Sequence, residues 1–291
     1  MNNSFHKDTV ILGLIGKPIS HSYSPLIYNI TIELKKLDCI YLPFEVTEKQ
    51  LKNAINGMIA YNIKGLNITI PYKESVTKYL DGLSEEASII GAVNTISNIA
   101  GKLIGFNTDT HGIYESLLPY ALQLSNKSVT LLGAGGASRA VIYTLIKYFN
   151  PSSISIINRT AQKGEELCNY FTDKMGYHSI SSHSFNDSAI RDSLNSSALI
   201  INATPIGMYP GNADLHPLME TYSFTNEQIV FDLIYNPHMT RLLTKASKEG
   251  AEIISGLKML ICQAAKSFEI WTGEIMPVED VFKSVKYMLI E

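Results

Sequence analysis

The sequence predicts an α/β fold of two domains, each built on a mainly parallel sheet. Three observations carry that expectation. Apolar runs rich in β-branched residues alternate with helical patterns along nearly the whole chain, which is how successive βα units read. The 291 residues, 45% hydrophobic and 18% charged, can fill two cores at roughly 150 residues per domain. The alternation then restarts near residue 128 with a glycine-rich strand-to-helix turn.

The elements follow in order. Residues 9–15 (TVILGLI) are a continuous apolar run and read as a strand, with a helix from Ser24. Residues 39–46 read as a strand, 47–60 as a helix and 65–70 as a strand. A helical pattern covers about 72–90, and short strands are expected at 92–97 and 102–107. In the second series, strand 128–133 leads into helix 136–149, followed by strand 153–158 and helix 160–175. Strands 198–202 and 228–232 come next, and helices at about 257–271 and 278–290 close the chain. The Ser-, Asn- and Asp-rich stretch 177–197 reads as surface loops around short elements.

Composition excludes several classes of function. Lys and Arg number 24 against 27 Asp and Glu, a net charge of −3 with no block of like charge. Nothing therefore draws the chain to nucleic acid or to an anionic membrane. Cys39, Cys168 and Cys262 are scattered and form neither a zinc spacing nor a disulfide framework, which suits a reducing compartment. The seven histidines show no ligand spacing, so no metal is expected. The opening MNNSFHKDT lacks a signal-peptide pattern, and no apolar run reaches the ~18 residues of a spanning helix. A cytoplasmic protein is expected, with small-molecule partners, no nucleic acid, no membrane, and a monomer or homodimer as its assembly.

The turn Gly133-Ala134-Gly135-Gly136-Ala137-Ser138 follows strand 128–132 and opens a helix. Gly133 permits the tight turn, Gly135 lets a pyrophosphate approach the backbone, and the helix amides face the anion. A plain glycine-containing turn is the alternative, but the strand–turn–helix context is the one a dinucleotide requires. The next strand ends at Asn158-Arg159-Thr160, with Lys163 shortly after. An NAD site usually carries a carboxylate there for the ribose 2′-hydroxyl. Neutral Asn158 beside two cations suits a 2′-phosphate instead, so NADP(H) is the expected cofactor. Solvated charges at a helix start are the alternative, an unfavourable place for cations.

Three polar clusters mark the first half. Ser22 and Ser24 flank Tyr23 before Pro25, and two hydroxyls with helix amides make a carboxylate site, or Ser24 simply caps the helix. Asn67 and Thr69 share one face of a strand, with Lys73 just beyond Pro71. Asn94-Thr95 and Asn107-Thr108-Asp109 offer amides, hydroxyls and a carboxylate that could pair with Lys73, or serve as turn residues. Together they place polar groups at strand ends, where α/β crevices form.

These segments resemble shikimate dehydrogenases. The likeness runs through residues 13–25 (GLIGKPISHSYSP), 67–73 (NITIPYK), 91–95 (GAVNT) and 107–109 (NTD). It continues through 133–137 (GAGGA), 158–160 (NRT), 202–205 (NATP), 232–237 (DLIYNP), 256–260 (GLKML), Gln263-Ala264 and 271–273 (WTG). It implies NADPH-dependent, reversible reduction of 3-dehydroshikimate to shikimate in aromatic amino-acid biosynthesis. It implies an N-terminal α/β substrate domain, 1–111, rejoined by C-terminal helices within 245–291, and a Rossmann-type NADP-binding domain, 112–244. By the match, Lys73 and Asp109 form the catalytic pair, and Ser22 and Ser24 hold the substrate carboxylate. Asn67, Thr69, Asn94, Asp109, Tyr235 and Gln263 meet its hydroxyls or ring. Gly133, Ala134, Gly135, Gly136 and Ala137 cradle the pyrophosphate. Asn158, Arg159, Thr160 and Lys163 hold the 2′-phosphate end. Thr204, Leu233 and Gly256 lie near the nicotinamide, and Glu85 matches a cofactor contact. Lys163 stands where many relatives carry Arg, Leu233 where some carry Met, and Ser138 where Ala is usual. A quinate/shikimate dehydrogenase using NAD or NADP is the alternative within the superfamily. A non-catalytic NADP-binding sensor on the same scaffold is the alternative outside it.

Overall fold

The computed structural model describes residues 6–184, 189–218 and 222–290. Residues 1–5, 185–188, 219–221 and 291 lie outside the described residues, including part of the N-terminal segment and of the stretch 177–197 discussed above. The chain divides into two compact units, Met1–His111 with Ile261–Glu291, and Gly112–Leu260. The chain re-enters the first unit at Ile261 rather than at 245. The intervening strand Glu252–Ser255 pairs in register with Ile229–Asp232 and so belongs to the second sheet. Among the described residues, no helix is long and apolar enough to cross a membrane.

The first unit contains strands β1 (Val10–Gly16), β2 (Cys39–Glu45), β3 (Gly65–Ile68), β4 (Gly82–Leu83), β5 (Thr95–Ile99) and β6 (Lys102–Phe106). Its helices are α1 (Ser24–Lys35), α2 (Leu51–Ala60) and α3 (Glu85–Ile90), while α4 (Asp109–Leu117) leads out of it. The sheet order is β2-β1-β3-β5-β6-β4, parallel except where β5 runs antiparallel to β3 and β6. Alternation along β3 sets up two layers. Leu66 and Ile68 join a core with Ile15, Ile55, Met58, Val76, Val93 and Ile96. Gly65 and Asn67 face the other way. There a Cβ on Gly65 would come 2.2 Å from Trp271 Nε1, so only glycine admits the indole. Trp271 in turn donates to Ile96 O (2.9 Å). The outer edge of β2 is closed to strand addition. The Asn29 side chain donates to Tyr41 O (3.1 Å) and accepts from Tyr41 N (3.2 Å), and Pro43 has no amide hydrogen to offer.

The expected helix over 72–90 is instead a 3₁₀ turn (Ser75–Tyr79), β4 and α3. Asp81 draws the middle of the segment into the sheet. Its amide donates to Leu103 O (2.9 Å) and its carboxylate accepts from Leu103 N (2.7 Å), which overrides the helical period. The expected strand at 92–97 begins only at Thr95, because its register is set by the hairpin with β6. That hairpin turns through Ala100 and Gly101, both at positive φ (52° and 83°), as a two-residue connection requires.

The second unit contains α5 (Ala121–Leu124), β7 (Ser128–Leu132), α6 (Gly136–Thr144), β8 (Ser153–Ile157), α7 (Ala161–Met175), β9 (Ile180–His183) and α8 (Ala189–Ser196). It continues with β10 (Ser197–Asn202), β11 (Ile229–Asp232), α9 (Arg241–Lys248) and β12 (Glu252–Ser255). Helix α10 (Gly256–Thr272) then carries the chain back, and α11 (Val278–Ile290) ends it. The second sheet is parallel throughout, in the order β12-β11-β10-β7-β8-β9. Strand order reverses between β7 and β10, the switch point of a Rossmann sheet, outside whose carboxyl ends ligands bind. Helix α6 stops at Thr144 and winds on as a π-helical turn, Leu145–Phe149, rather than running unbroken to 149. Strands β9 and β12 are four residues each, too short to show a period, and the pattern does not predict them.

Candidate active site

Lys73 is held from both sides of its backbone. Tyr72 N donates to Thr69 O (2.9 Å), closing a turn after β3, and the buried Tyr72 phenol donates to Val46 O (2.6 Å). Val93 N donates to Lys73 O (2.7 Å). From this anchored position the Lys73 side chain, 18% exposed, brings Nζ to 2.5 Å from Asp109 Oδ2. Asp109 is the first residue of α4 and its side chain is 7% exposed. A carboxylate suits that place, at the positive end of a helix.

Asp109 is oriented from below by Asn94. The Asn94 amide nitrogen donates to Asp109 Oδ1 (2.8 Å), Gln263 Oε1 (3.2 Å) and Thr108 Oγ1 (3.0 Å). Its oxygen accepts from the Thr108 backbone N–H (2.7 Å). A backbone amide can only donate, so the Asn94 amide has one orientation. Thr95, Thr108 and Ser267 hydroxyls complete the layer. Thr95 Oγ1 lies 2.8 Å from Ser267 Oγ, and Thr108 Oγ1 lies 2.9 Å from it. Asn67 joins through its amide nitrogen, which donates to Asn94 O, Thr95 Oγ1 and Ser267 Oγ at 3.2–3.3 Å. Its oxygen accepts from the Tyr41 phenol (2.8 Å). Burial pushes the Tyr41 hydroxyl well above the usual tyrosine range, so it stays protonated and donates. The result is a buried polar layer of amides and hydroxyls with one ammonium and one carboxylate at its rim.

Ser22 and Ser24 lie at the start of α1, whose cap position is Tyr23 rather than Ser24. Neither serine caps through the usual geometry. Ser22 Oγ accepts from Ser24 N (3.3 Å), and Ser24 is buried as the first helical residue. Thr69 follows β3 and is half-buried, and a Cβ at Gly16 would strike its methyl at 2.3 Å. Glycine at 16 is what lets Thr69 approach β1.

In the second unit, Gly133 has φ 104°, a conformation open to glycine. Its amide donates to Ile157 O (2.8 Å). Gly135 caps α6 without a side chain, and a Cβ there would meet nothing within 4 Å, so its backbone is bare to an incoming group. Ser138 is fully buried and accepts from Gly135 N (3.2 Å). At the end of β8, Asn158 donates to Thr160 O (2.8 Å). Arg159, Thr160 and Lys163 are exposed, and the Thr160 side chain makes no cap bond to α7. Thr204 Oγ1 donates to Asn202 Oδ1 (2.7 Å) and accepts from Ile206 N (3.2 Å). Leu233 N donates to Asn202 O (3.0 Å). A Cβ on Gly256 would sit 2.2 Å from Leu233 O, so the start of α10 can pass Leu233 only as glycine.

Comparison with known proteins decides the family. Residues 14–96 match the shikimate dehydrogenase substrate binding domain, 116–213 match shikimate/quinate 5-dehydrogenase, and 256–286 match the shikimate 5′-dehydrogenase C-terminal domain. The shikimate dehydrogenase (NADP(+)) of Methanocaldococcus jannaschii is 42% identical over 276 residues, 95% of each chain. The chain belongs to the shikimate dehydrogenase family. A crystal structure of a family member in complex with NADP+ superposes with a TM-score of 0.90 at 39% identity, covering 98% of both chains. The Listeria monocytogenes shikimate 5-dehydrogenase, in complex with shikimate and NAD, superposes at 0.88 with 34% identity, covering 98% of this chain and 99% of that one.

Within this family member, Lys73, Asp109, Asn67, Asn94 and Gln263 share one hydrogen-bonded layer of the first unit. Tyr235, expected at the substrate, lies in the second unit beyond β11. The glycine turn, Asn158, Thr204, Leu233 and Gly256 also belong to the second unit, whereas Glu85 is an exposed residue of the first. Glu85 opens α3 behind a Ser84 cap that accepts from Ala87 N (3.2 Å), and a carboxylate at that helix start is accounted for locally. Sequence reasoning gives no role to Tyr41, Ser267, Asn202 or Asp232. Asn202 and Asp232 stand inside matched motifs, which was the available signal. Tyr41 and Ser267 reach Asn67 from 26 and 200 residues away, and no local pattern announces that.

Proposed function

We propose that the chain is an NADP-dependent shikimate dehydrogenase that reversibly reduces 3-dehydroshikimate to shikimate in aromatic amino-acid biosynthesis. The observation that carries this is the Lys73 Nζ–Asp109 Oδ2 contact of 2.5 Å at the rim of a buried layer of amides and hydroxyls. Such a layer suits a polyol ring, and the ammonium suits a carbonyl that must become a hydroxyl.

The dinucleotide fits the residues present. Gly133 makes the positive-φ turn, Gly135 has open space where a Cβ would stand at the N-terminus of α6, and the end of β8 offers Asn158 and Arg159 where a carboxylate would repel a 2′-phosphate. When bound, NADPH supplies the hydride. Every remaining task falls to side chains. Ser22 and Ser24 hold the substrate carboxylate, while Asn67, Thr69, Asn94, Tyr235 and Gln263 take its hydroxyls and ring. Lys73 gives its proton to the carbonyl oxygen as the carbon is reduced, and takes one back in the direction of oxidation. Asp109 fixes the ammonium, and Asn94 fixes Asp109. Arg159, Thr160 and Lys163 receive the 2′-phosphate, with Thr204, Leu233 and Gly256 bordering the nicotinamide. We place the enzyme in the cytoplasm, which the three free cysteines support, and take it as a monomer or homodimer.

The test is a spectrophotometric assay of nicotinamide reduction with shikimate and quinate, each with NADP+ and NAD+. Turnover is expected with shikimate and NADP+ above the other three combinations. A preference for quinate, or for NAD+, would overturn the reading.

A further inference from the structure

Asp232 has no task in the chemistry above, yet it is a fully buried carboxylate at the carboxyl end of β11. Its oxygens accept three hydrogen bonds: from Asn202 Nδ2 (3.0 Å), from Ile234 N (3.1 Å) and from Thr240 Oγ1 (2.7 Å). No ion pair reaches it among the described residues. A buried charge without a cation is expensive, and these three hydrogen bonds are what offsets that cost here.

Following the bonds outward shows what they hold. Asn202, the last residue of β10, is also fully buried. With Nδ2 donating to Asp232 and to Ile206 O (3.2 Å), its Oδ1 accepts from Thr204 N (3.0 Å) and Thr204 Oγ1 (2.7 Å). Thr204 is thereby pressed against the glycine turn. A Cβ at Gly133 would lie 3.0 Å from the Thr204 methyl. One carboxylate thus ties the loop after β10 to the loop after β11, and sets the first against the turn that opens the dinucleotide site.

We infer that Asp232 is a positioning residue for the dinucleotide, acting through Asn202 to hold Thr204 beside Gly133. The inference rests on the cofactor part of the proposed function and adds the residues that shape that site.

Calorimetric titration of NADP+ into the full-length protein tests it, together with KM for shikimate at saturating NADP+. Asp232→Ala and Asn202→Ala are each expected to weaken NADP+ binding about tenfold, the loss that follows when a buried hydrogen-bonding group is orphaned. KM for shikimate stays unchanged in Asn202→Ala; Asp232→Ala also frees Ile234 N, next to Tyr235, and is read by NADP+ affinity alone. The double variant is expected to be no weaker than the worse single, since both cut one chain of bonds. Asp232→Asn retains most of the affinity, because an amide oxygen still accepts from Ile234 N and Asn202. NADP+ affinity within twofold of wild type in the folded alanine variants overturns the inference, and so do losses that multiply in the double variant or a matching loss for shikimate in Asn202→Ala. Should Asp232→Ala fail to fold, Asn202→Ala decides alone. A wild-type protein that binds no NADP+ overturns the cofactor reading itself. One that binds NADP+ but leaves shikimate unoxidised overturns the substrate reading, while the affinity comparison still decides the role of Asp232.

Discussion

Asp109 and Asp232 are both buried carboxylates, one in each unit, and they are compensated differently. Asp109 faces an ammonium at 2.5 Å and accepts an amide hydrogen bond from Asn94. Asp232 takes three neutral hydrogen bonds and no cation among the described residues. Burial pushes the Asp232 carboxyl up to about 6, against the pull of its hydrogen bonds to Thr240, Ile234 and Asn202. The difference separates two uses of a buried charge. A carboxylate beside a partly exposed lysine can steer a mobile proton. A carboxylate closed in by fixed dipoles can only hold its donors where they are.

The sharpest way to break this contrast is to remove the cation. Lys73→Ala is expected to lower kcat by ~10²–10⁴-fold, the usual worth of a positioned acid–base group, with KM for shikimate nearly unchanged. Steady-state kinetics in the direction of shikimate oxidation measure it. A near-normal kcat would remove Lys73 from proton transfer and leave the two carboxylates alike in function.

The lone carboxylate makes the next largest prediction. Its pKa is raised on folding, from 3.8 to about 6. Between these values the folded chain holds a proton that the unfolded chain has released, so this group's contribution to stability falls as pH rises through that window and levels off above it. At about 1.4 kcal/mol per unit the full swing is ~3 kcal/mol. Asp232→Asn lacks the titration. The stability of wild type relative to Asp232→Asn is therefore expected to drop between pH 4 and pH 7, read as the difference in urea unfolding free energy. A gap that stays constant across that range would show that Asp232 is not the buried titrating group it is taken for.

How these two sites show in the sequence differs as well. The glycine turn and the strand that feeds it are legible because their chemistry is local: a strand, small residues and a helix in direct succession. Lys73 and Asp109 are legible only as candidates, and the Tyr72 and Val93 bonds that aim Lys73 come from separate elements. Asn202 and Asp232 are 30 residues apart in sequence and adjacent in the sheet, so their bond exists only once β10 and β11 pair. The helix expected over 72–90 fails for the same reason, since Asp81 answers to Leu103 in β6 rather than to its own neighbours.

The second unit's selectivity gives a smaller effect. Arg159→Ala is expected to raise KM for NADP+ about tenfold, as a hydrogen bond to a charged group contributes ~1.5–3 kcal/mol, while KM for NAD+ changes little. Equal effects on the two cofactors would mean that Arg159 meets no 2′-phosphate.

The smallest prediction probes the floor of the first unit. Tyr41→Phe keeps the ring that stacks on Tyr28, with centroids 4.2 Å apart and planes 10° from parallel. It removes only the hydroxyl that donates to Asn67 Oδ1. Asn67 is buried, so its oxygen is left without that donor, at ~1–3 kcal/mol. Trp271 is the single tryptophan. It lies in the same unit with its ring centroid 6.4 Å from that of Tyr41, so its fluorescence reports unfolding of this unit. A lower urea midpoint by that signal is expected, with kcat close to wild type because Lys73 and Asp109 are oriented through Asn94 instead. KM for shikimate rises if Asn67 needs the phenol to hold its amide in one orientation. An unchanged midpoint would mean the Tyr41–Asn67 bond contributes nothing to the layer, and the first unit's polar floor would then rest on Asn94, Thr95, Thr108 and Ser267 alone.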